Sequence, residues 1–284
     1  MSYETVLVWM LSLNREYSQA EYDTAYQLCK LCFPGDWKYE FKNPDSFRML
    51  MTQLLPVLMM RHRRVPRARW QDHVTQTGKH WIEHLQSDQP GRQRQPCIGY
   101  QLTYCNSLCG MAVTQGLPAQ VVNIGLGIKQ MKVEPKGITI PLYLESLSHK
   151  LTQLEISNIV NNPDEIILKR LCIMLALKDS YIKAIGQPVG FDYSRLEFDM
   201  VARTAKGDGL PLNGWEFRIF TAKLGVARGT ILKSEDYECV CAYYRGTPTD
   251  PPSIVIQTKT QEIENWVQFI NIDQLMTVSN KLAA

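Results

Sequence analysis

The sequence predicts an α+β fold in which a mainly helical N-terminal two-thirds is followed by a small antiparallel β-sheet and a C-terminal helix. Apolar residues recur at helical spacing through the front of the chain, and from residue 191 the spacing changes to two, as in "RLEFDMVAR". With 284 residues, 45% of them hydrophobic, the chain can bury one large core or two small ones. The predicted regions are a helical region with an arginine-rich segment (1–96), a mixed and mainly helical core (97–190), and the sheet with the final helix (191–284).

The helices of the front region are predicted from capping residues and apolar periodicity. The apolar stretch "VLVWMLSL" is expected to be the first helix. Ser18 and Asn43 are the expected N-caps of the next two, and Pro44 fits the first helical position. Pro56 is expected to kink the last of these. An amphipathic helix is predicted after the arginines from an apolar stripe: Trp70, Val74, Trp81 and Leu85.

Before the sheet, the rest of the chain is predicted to contain a strand, a segment that turns from strand into helix ("GITIPLYLESLSHKLTQLEISNIV") and one long helix. "NIGLGIK" alternates glycine with apolar residues and indicates a strand. Asn162, followed by Pro163 and two acidic residues, is the expected start of a helix that ends at Gly186. "WEFRIF" and "YECVCAYY" are expected strands of the sheet, and the stretch from Gln261 to the end is expected to be helical.

Positive charge is concentrated in one window of the chain. Residues 61–94 have a net charge of +5 in a chain whose net charge is +3, and "RHRRVPRARW" contains no acidic residue. Closely spaced guanidinium groups bind phosphate, and tryptophan offers a stacking face for a base. The alternatives are a solvated basic turn, arginines paired with acids elsewhere in the fold, and a nuclear-import signal. The predicted nucleic-acid-binding residues are Arg61, Arg63, Arg64, Arg67, Arg69, Trp70, Lys79, Arg92 and Arg94.

The segment "HWIEH" fits the H-x-x-E-H pattern of a zinc hydrolase. In that pattern His80 and His84 share a helix face and bind the metal, and Glu83 polarises a water molecule. A third ligand is needed, for which Glu155 and Glu165 are candidates only by their distance along the chain. We expect instead two solvent-facing histidines of an amphipathic helix, with no metal bound.

The cysteines do not form a metal-binding framework. Cys29 and Cys32 have the C-x-x-C spacing but fall inside a predicted helix, where cysteine packs as a small hydrophobe. Eight cysteines without a regular pattern favour a reducing compartment. The sequence also lacks a G-x-x-x-x-G-K-[ST] loop and a G-x-S-x-G elbow. The expectation is therefore no metal and no cofactor.

These features favour a nucleic-acid-binding assembly protein, nucleocapsid-like or organising a ribonucleoprotein, with RNA a better partner than DNA. One alternative is a matrix-like or adaptor protein that binds acidic membrane surfaces or acidic partners; another is the zinc-dependent hydrolase. The apolar terminal segments predict a homo-oligomer in which one of them docks on a neighbouring subunit. No apolar run reaches the ~20 residues of a membrane-spanning helix. The expected location is intracellular, in the cytoplasm or nucleus, or in a virion.

Overall fold

The computed structural model describes residues 6–85, 96–187 and 189–282, and the chain forms two compact units. Both units are assembled from segments that are distant in sequence. Unit 1 consists of Met1–Val122, Leu224–Ser234 and Trp266–Ala284. Unit 2 consists of Asn123–Lys223 and Glu235–Asn265.

Strands and helices are interspersed along the described residues. The strands are β1 (Leu7–Ser12), β2 (Trp70–Val74), β3 (His80–His84), β4 (Cys97–Cys105), β5 (Leu108–Gly116), β6 (Ile124–Gln130), β7 (Leu196–Asp199), β8 (Thr204–Gly207), β9 (Leu210–Pro211), β10 (Trp215–Arg228), β11 (Ile231–Tyr244), β12 (Ser253–Ile256) and β13 (Val267–Asn271). The α-helices are α1 (Gln19–Cys32), α2 (Pro44–His62), α3 (Pro118–Val121), α4 (Ile140–Ser146), α5 (Gln153–Ile159), α6 (Asp164–Ile185), α7 (Thr260–Glu264) and α8 (Ile272–Val278).

The predicted fold class is wrong, because strands occur throughout the described part of the chain and form three sheets there. Strand β1 replaces the expected first helix. It lies between β13 and β5, and Val8, Met10 and Leu11 are fully buried. A strand covered on both faces is apolar at consecutive positions, so its periodicity does not distinguish it from a buried helix. The division into regions 1–96, 97–190 and 191–284 stays a prediction.

Unit 1 contains a six-stranded sheet in the order β13-β1-β5-β4-β3-β2, with α1 and α2 contributing to its core. The predicted caps of these helices are confirmed: Ser18 forms a capping box with Glu21, and Asn43 accepts a hydrogen bond from the Asp45 N–H. Helix α2 runs through Pro56 as one element. The caps could be predicted because they depend on residues within one turn.

The predicted helix over Trp70–Leu85 is wrong, because this segment is the antiparallel hairpin of β2 and β3. The polar residues between the strands form its turn, in which the Thr75 N–H donates to the Lys79 C=O and Gly78 has φ +77°. The expected C-terminal helix is instead α7, β13 and α8. β1 and β13 pair within one chain, so both terminal segments belong to the protein's own sheet, and the predicted homo-oligomer stays a prediction.

Unit 2 contains a four-stranded sheet in the order β12-β10-β11-β6 and a small sheet of β7, β8 and β9. The predicted strands in "WEFRIF" and "YECVCAYY" are confirmed as parts of β10 and β11. The predicted long helix is α6, which ends at Gly186 in the left-handed conformation; it starts at Asp164, so that Pro163 and not Asn162 is the N-cap. No described helix meets the length and hydropathy that a membrane crossing requires.

The glycines of β6 allow α6 to pack directly on the strand. A Cβ at Gly125 would overlap the Ser180 C=O, and one at Gly127 would overlap the Ala176 C=O. Since both obstacles are backbone, the helix itself would have to move. The alternating glycines of "NIGLGIK" are therefore explained by close helix–strand packing.

We expect Gly127→Ala to destabilise the protein by about 3 kcal/mol, because the added methyl group forces α6 away from β6. Chemical denaturation with far-UV circular dichroism measures this free energy of unfolding. Gly225→Ala is the control, since its Cβ would meet the Leu232 side chain at an ordinary 3.4 Å. Equal stability of the two variants would contradict the packing explanation.

Candidate functional site

Two of the five clustered arginines, Arg63 and Arg67, form hydrogen bonds within unit 1. The Arg67 guanidinium donates to the Cys32 C=O at 2.7 and 3.1 Å and to the Trp70 C=O at 2.8 Å, and it lies 4.1 Å from the centre of a Trp70 ring. With the Gln115 amide oriented so that its oxygen faces Arg63, the Arg63 guanidinium donates to that oxygen, and burial lowers the pKa of Arg63. These contacts fix the segment that follows α2.

The other residues of the predicted nucleic-acid site have different surroundings. Trp70 is 1% exposed, so its ring does not offer the expected stacking face. Lys79 is half-buried, and burial lowers its pKa. Arg92 and Arg94 lie outside the described residues. The exposed members of the set are Arg61, Arg64 and Arg69.

The expected helix beneath "HWIEH" is wrong, because these residues form strand β3. Residues i and i+4 of a strand are about 13 Å apart, and residue i+3 points to the other face. His80, Glu83 and His84 therefore do not share an ion. The His80 Nδ1 lies 3.2 Å from Asp72 Oδ2. In the described part of the chain, no three His, Cys, Asp or Glu side chains are placed to hold a metal ion together.

Cys29 and Cys32 are buried in α1 and belong to the core of unit 1. Burial raises the pKa of both thiols, which disfavours the thiolate that a metal or an electrophile requires.

A polar cluster that the sequence analysis did not identify lies where α6 packs on β6. Asp179 of α6 is buried, and its Oδ2 lies 2.6 Å from the Nζ of Lys129 on β6. The Tyr193 hydroxyl donates to Oδ1 of the same carboxylate. Lys183, one turn further along α6, donates to the Leu126 C=O at 3.2 Å. We name Lys129, Asp179, Lys183 and Tyr193 the Asp179 cluster.

The charges of the Asp179 cluster control its protonation. Burial favours the neutral acid, but Lys129 and Lys183 outweigh burial and hold the pKa of Asp179 below its usual 3.8. Burial and the adjacent carboxylate raise the pKa of Tyr193. At neutral pH the cluster therefore contains a carboxylate, a neutral phenol and two ammonium groups. Both lysines are only half-buried, so a ligand can reach them.

A buried ion pair positions Tyr193. Lys178 and Glu155 are both 0% exposed, and their Nζ and Oε2 atoms are 2.6 Å apart. Lys178 also donates to the C=O groups of Lys150, Tyr193 and Leu196 at 2.8 to 3.0 Å. Two successive residues of α6 thus hold Tyr193. Lys178 donates to its backbone C=O, and Asp179 accepts from its hydroxyl. Because no ligand can touch Lys178, its role is positioning.

A second buried carboxylate lies beside the cluster. Glu238 of β11 is 1% exposed and stands directly opposite Lys129 in the β6–β11 ladder. Its carboxylate accepts a hydrogen bond from the Thr221 hydroxyl and lies 3.7 Å from the Lys169 Nζ. Burial raises the pKa of Glu238. Charged groups therefore continue along the side of α6 that faces the sheet.

One signal in the sequence could have indicated this cluster. "LALKDSYIK" places Lys178, Asp179 and Lys183 within an otherwise apolar helix. Charged residues are rarely buried unless they are paired, so such a helix predicts partners on a neighbouring element. The identity of those partners depends on the β6–α6 packing, which the sequence pattern alone does not specify.

No protein-family model matches the chain. Over 221 residues the chain is 29% identical to the 4′-phosphopantetheinyl transferase pptA of Paxillus involutus, and the match covers 75% of this chain and 81% of that protein. A transferase relative overturns the predicted function. The expectations of a nucleic-acid-binding, nucleocapsid-like or viral structural protein, and of RNA or DNA as its partner, are wrong.

Proposed function

We propose that the protein is a 4′-phosphopantetheinyl transferase that moves this group from coenzyme A to a carrier protein. The similarity to the Paxillus involutus transferase carries this proposal, since it extends over 81% of that protein. The proposal is also consistent with the ammonium groups of the Asp179 cluster, since phosphoryl transfer needs cations beside the phosphates.

The proposed reaction exchanges one phosphorus–oxygen bond for another. A hydroxyl oxygen of the carrier protein attacks the phosphorus that bears the pantetheine arm. The bond from that phosphorus to the bridging oxygen of the pyrophosphate breaks, and adenosine 3′,5′-bisphosphate leaves. The hydroxyl proton passes to a base or to solvent. Negative charge accumulates on the phosphate oxygens and the leaving group, and positioned cations stabilise it.

The Asp179 cluster supplies two of these cations within unit 2. Lysine binds phosphate as a point charge and does not require the planar geometry of arginine. Asp179 holds the Lys129 ammonium at 2.6 Å and accepts a hydrogen bond from Tyr193, so it orients groups on both sides. We assign Lys129 and Lys183 to the phosphates of the donor, and Asp179 to the positioning of Lys129.

The test is transfer to an apo carrier protein, followed by intact-protein mass spectrometry. With coenzyme A and the purified chain, we expect the carrier to gain the mass of one phosphopantetheinyl group. The assay is run with and without Mg²⁺, because divalent cations commonly bridge phosphates in phosphoryl transfer. No mass gain on any of several carrier proteins, under either condition, would reject the proposed function.

Replacing Lys129 tests the assignment of the site. We expect Lys129→Met to lower kcat/KM for coenzyme A at least tenfold, because the phosphates lose a cation and Asp179 loses its partner. Lys259→Met is the control, since Lys259 is an exposed lysine whose side chain is 78% accessible. Unchanged kinetics in Lys129→Met would show that the phosphates bind elsewhere.

A further inference from the structure

Three arginines of unit 1 have exposed guanidinium groups that form no hydrogen bond or ion pair with any described residue. They are Arg61 at the end of α2, Arg64 in the following turn, and Arg69 at the end of the 3₁₀ turn Arg67–Arg69. Between Asp45 and Asp72 the chain contains no acidic residue that could neutralise them locally. We name these three residues the arginine surface.

The backbone beneath the arginine surface is fixed. The Arg64 N–H donates to the Arg61 C=O at 2.9 Å, and the Val65 N–H donates to the Met60 C=O at 3.0 Å. These two bonds form a Schellman motif at the end of α2. The Arg69 N–H donates to the Pro66 C=O at 2.9 Å. The three guanidinium groups therefore extend from a defined turn, which limits the entropy lost when a partner binds.

Arg64 occupies a backbone position that favours glycine. Its φ is +60°, and it stands at the first position beyond the helix cap, where glycine is the usual residue. An arginine here destabilises the turn, and its guanidinium makes no compensating contact with a described residue. A strained residue whose side chain makes no hydrogen bond or ion pair with any described residue points to a role in binding.

The surroundings of the arginine surface favour a protein as its partner. The Leu85 N–H donates to the Arg69 C=O at 2.9 Å, and the Leu85 side chain is 51% exposed. Pro66 and Ala68 are exposed in the same segment. Arginine interspersed with exposed apolar side chains is typical of protein interfaces, whereas a phosphate backbone needs charge alone.

We propose that the arginine surface docks an acidic face of the carrier protein that accepts the phosphopantetheinyl group. This inference rests on the proposed function for the identity of the partner. Complementary charge would steer the acceptor to the enzyme and would contribute to its KM, without a contribution to the chemical step. The arginines are thus recognition residues and lie outside the catalytic machinery.

Two measurements separate this inference from the proposed function. The mass-spectrometric assay asks whether wild-type protein transfers the group. Fluorescence anisotropy of a labelled, acidic apo carrier protein asks whether the two proteins bind, whatever the activity. We expect Arg64→Glu combined with Arg69→Glu to weaken binding and to raise KM for the carrier about tenfold, with kcat and KM for coenzyme A unchanged. Lysine at both positions keeps the charge and is expected to restore binding.

Arg64→Gly distinguishes recognition from a structural role. Glycine relieves the positive φ, so we expect Tm to rise by about 2 °C while carrier binding weakens. Arg203→Glu is the matched control, because Arg203 is also an exposed arginine with a positive φ of +55° and lies in unit 2. Its affinity for the carrier is expected to equal that of the wild type.

The results of these measurements test the proposed transferase function and the proposed docking surface separately. Binding without transfer would reject the proposed function and keep the docking surface. Transfer with the same carrier affinity in wild type and in the doubly substituted protein would reject the docking surface. The absence of any binding by wild-type protein would also reject it, and so would displacement of the carrier by an RNA oligonucleotide at lower concentration than by unlabelled carrier.

Discussion

Replacing Lys178 by methionine is expected to lower the free energy of unfolding by about 4 kcal/mol at neutral pH. The substitution leaves the Glu155 carboxylate fully buried without its cation, and an uncompensated buried charge is among the most destabilising changes in a protein core. The C=O groups of Lys150, Tyr193 and Leu196 also lose their shared donor. Chemical denaturation followed by tryptophan fluorescence measures the loss.

The pH dependence of this loss follows from the pKa of Glu155, which burial raises even in the wild type. Without Lys178 the pKa of Glu155 in the folded state rises further. The free energy of unfolding of the variant is therefore lowered most at a pH where the Glu155 carboxyl is ionised in the unfolded chain. The deficit should therefore shrink as pH falls through the raised pKa of the folded state. A deficit that is constant between pH 4 and 7 would contradict a charge-based origin.

Two further variants complete this test. Lys178→Met combined with Glu155→Gln should recover part of the stability, because the charge is removed and the single amide oxygen can still accept from one of the two N–H groups, that of Thr152 or that of Phe198. Lys206→Met removes an exposed lysine 3.5 Å from Glu197 and is expected to cost less than ~0.5 kcal/mol. If both single lysine variants were equally stable, the buried pair would have no special role.

Asp179→Asn is expected to lower kcat/KM for transfer about 100-fold. Asparagine keeps the shape of the side chain but removes the charge that holds the Lys129 ammonium at 2.6 Å, so Lys129 is no longer held in position beside the phosphates. Asp208→Asn is the control, since Asp208 forms an exposed pair with Arg195 at 2.7 Å. Equal activity of the two variants would remove Asp179 from the site.

The sign of the pH effect gives a second readout for Asp179. Its pKa in the folded protein lies below the usual 3.8, so its stabilising contribution is present above pH 3.8 and is lost as pH falls through the lower, folded-state value. The stability difference between wild type and Asp179→Asn should therefore be constant from pH 5 to 7 and should diminish in acid. Urea denaturation at a series of pH values measures it without any assay of transfer.

The sequence predicts those parts of the fold that depend on neighbouring residues. The Ser18 and Asn43 caps and the end of α6 at Gly186 each involve contacts within a few positions along the chain. The errors lie where burial depends on distant segments. β1 is apolar at consecutive positions because β13 and β5 flank it, and its pairing with β13 joins residues more than 250 positions apart.

The candidate site was missed for the same reason. Lys129 and Asp179 are separated by 50 positions and meet only because the glycines of β6 bring α6 against the strand. The arginine segment stands out in the sequence, but the sequence alone does not show which arginines bind within the fold and which face solvent. Arg67 serves the fold and Arg64 faces solvent, and only the contacts of each guanidinium distinguish them.

The parallel pairing of β1 with β13 has a consequence for the order in which the chain folds. Val8 is hydrogen-bonded into the sheet beside Val267, so the six-stranded sheet cannot be completed until β13 has left the ribosome. All of unit 2 is synthesised before β13, so its local contacts are available earlier. Contacts of such high sequence separation slow folding. During synthesis β1 therefore presents an open apolar edge, and chaperone binding to nascent chains should concentrate there until the last strand arrives.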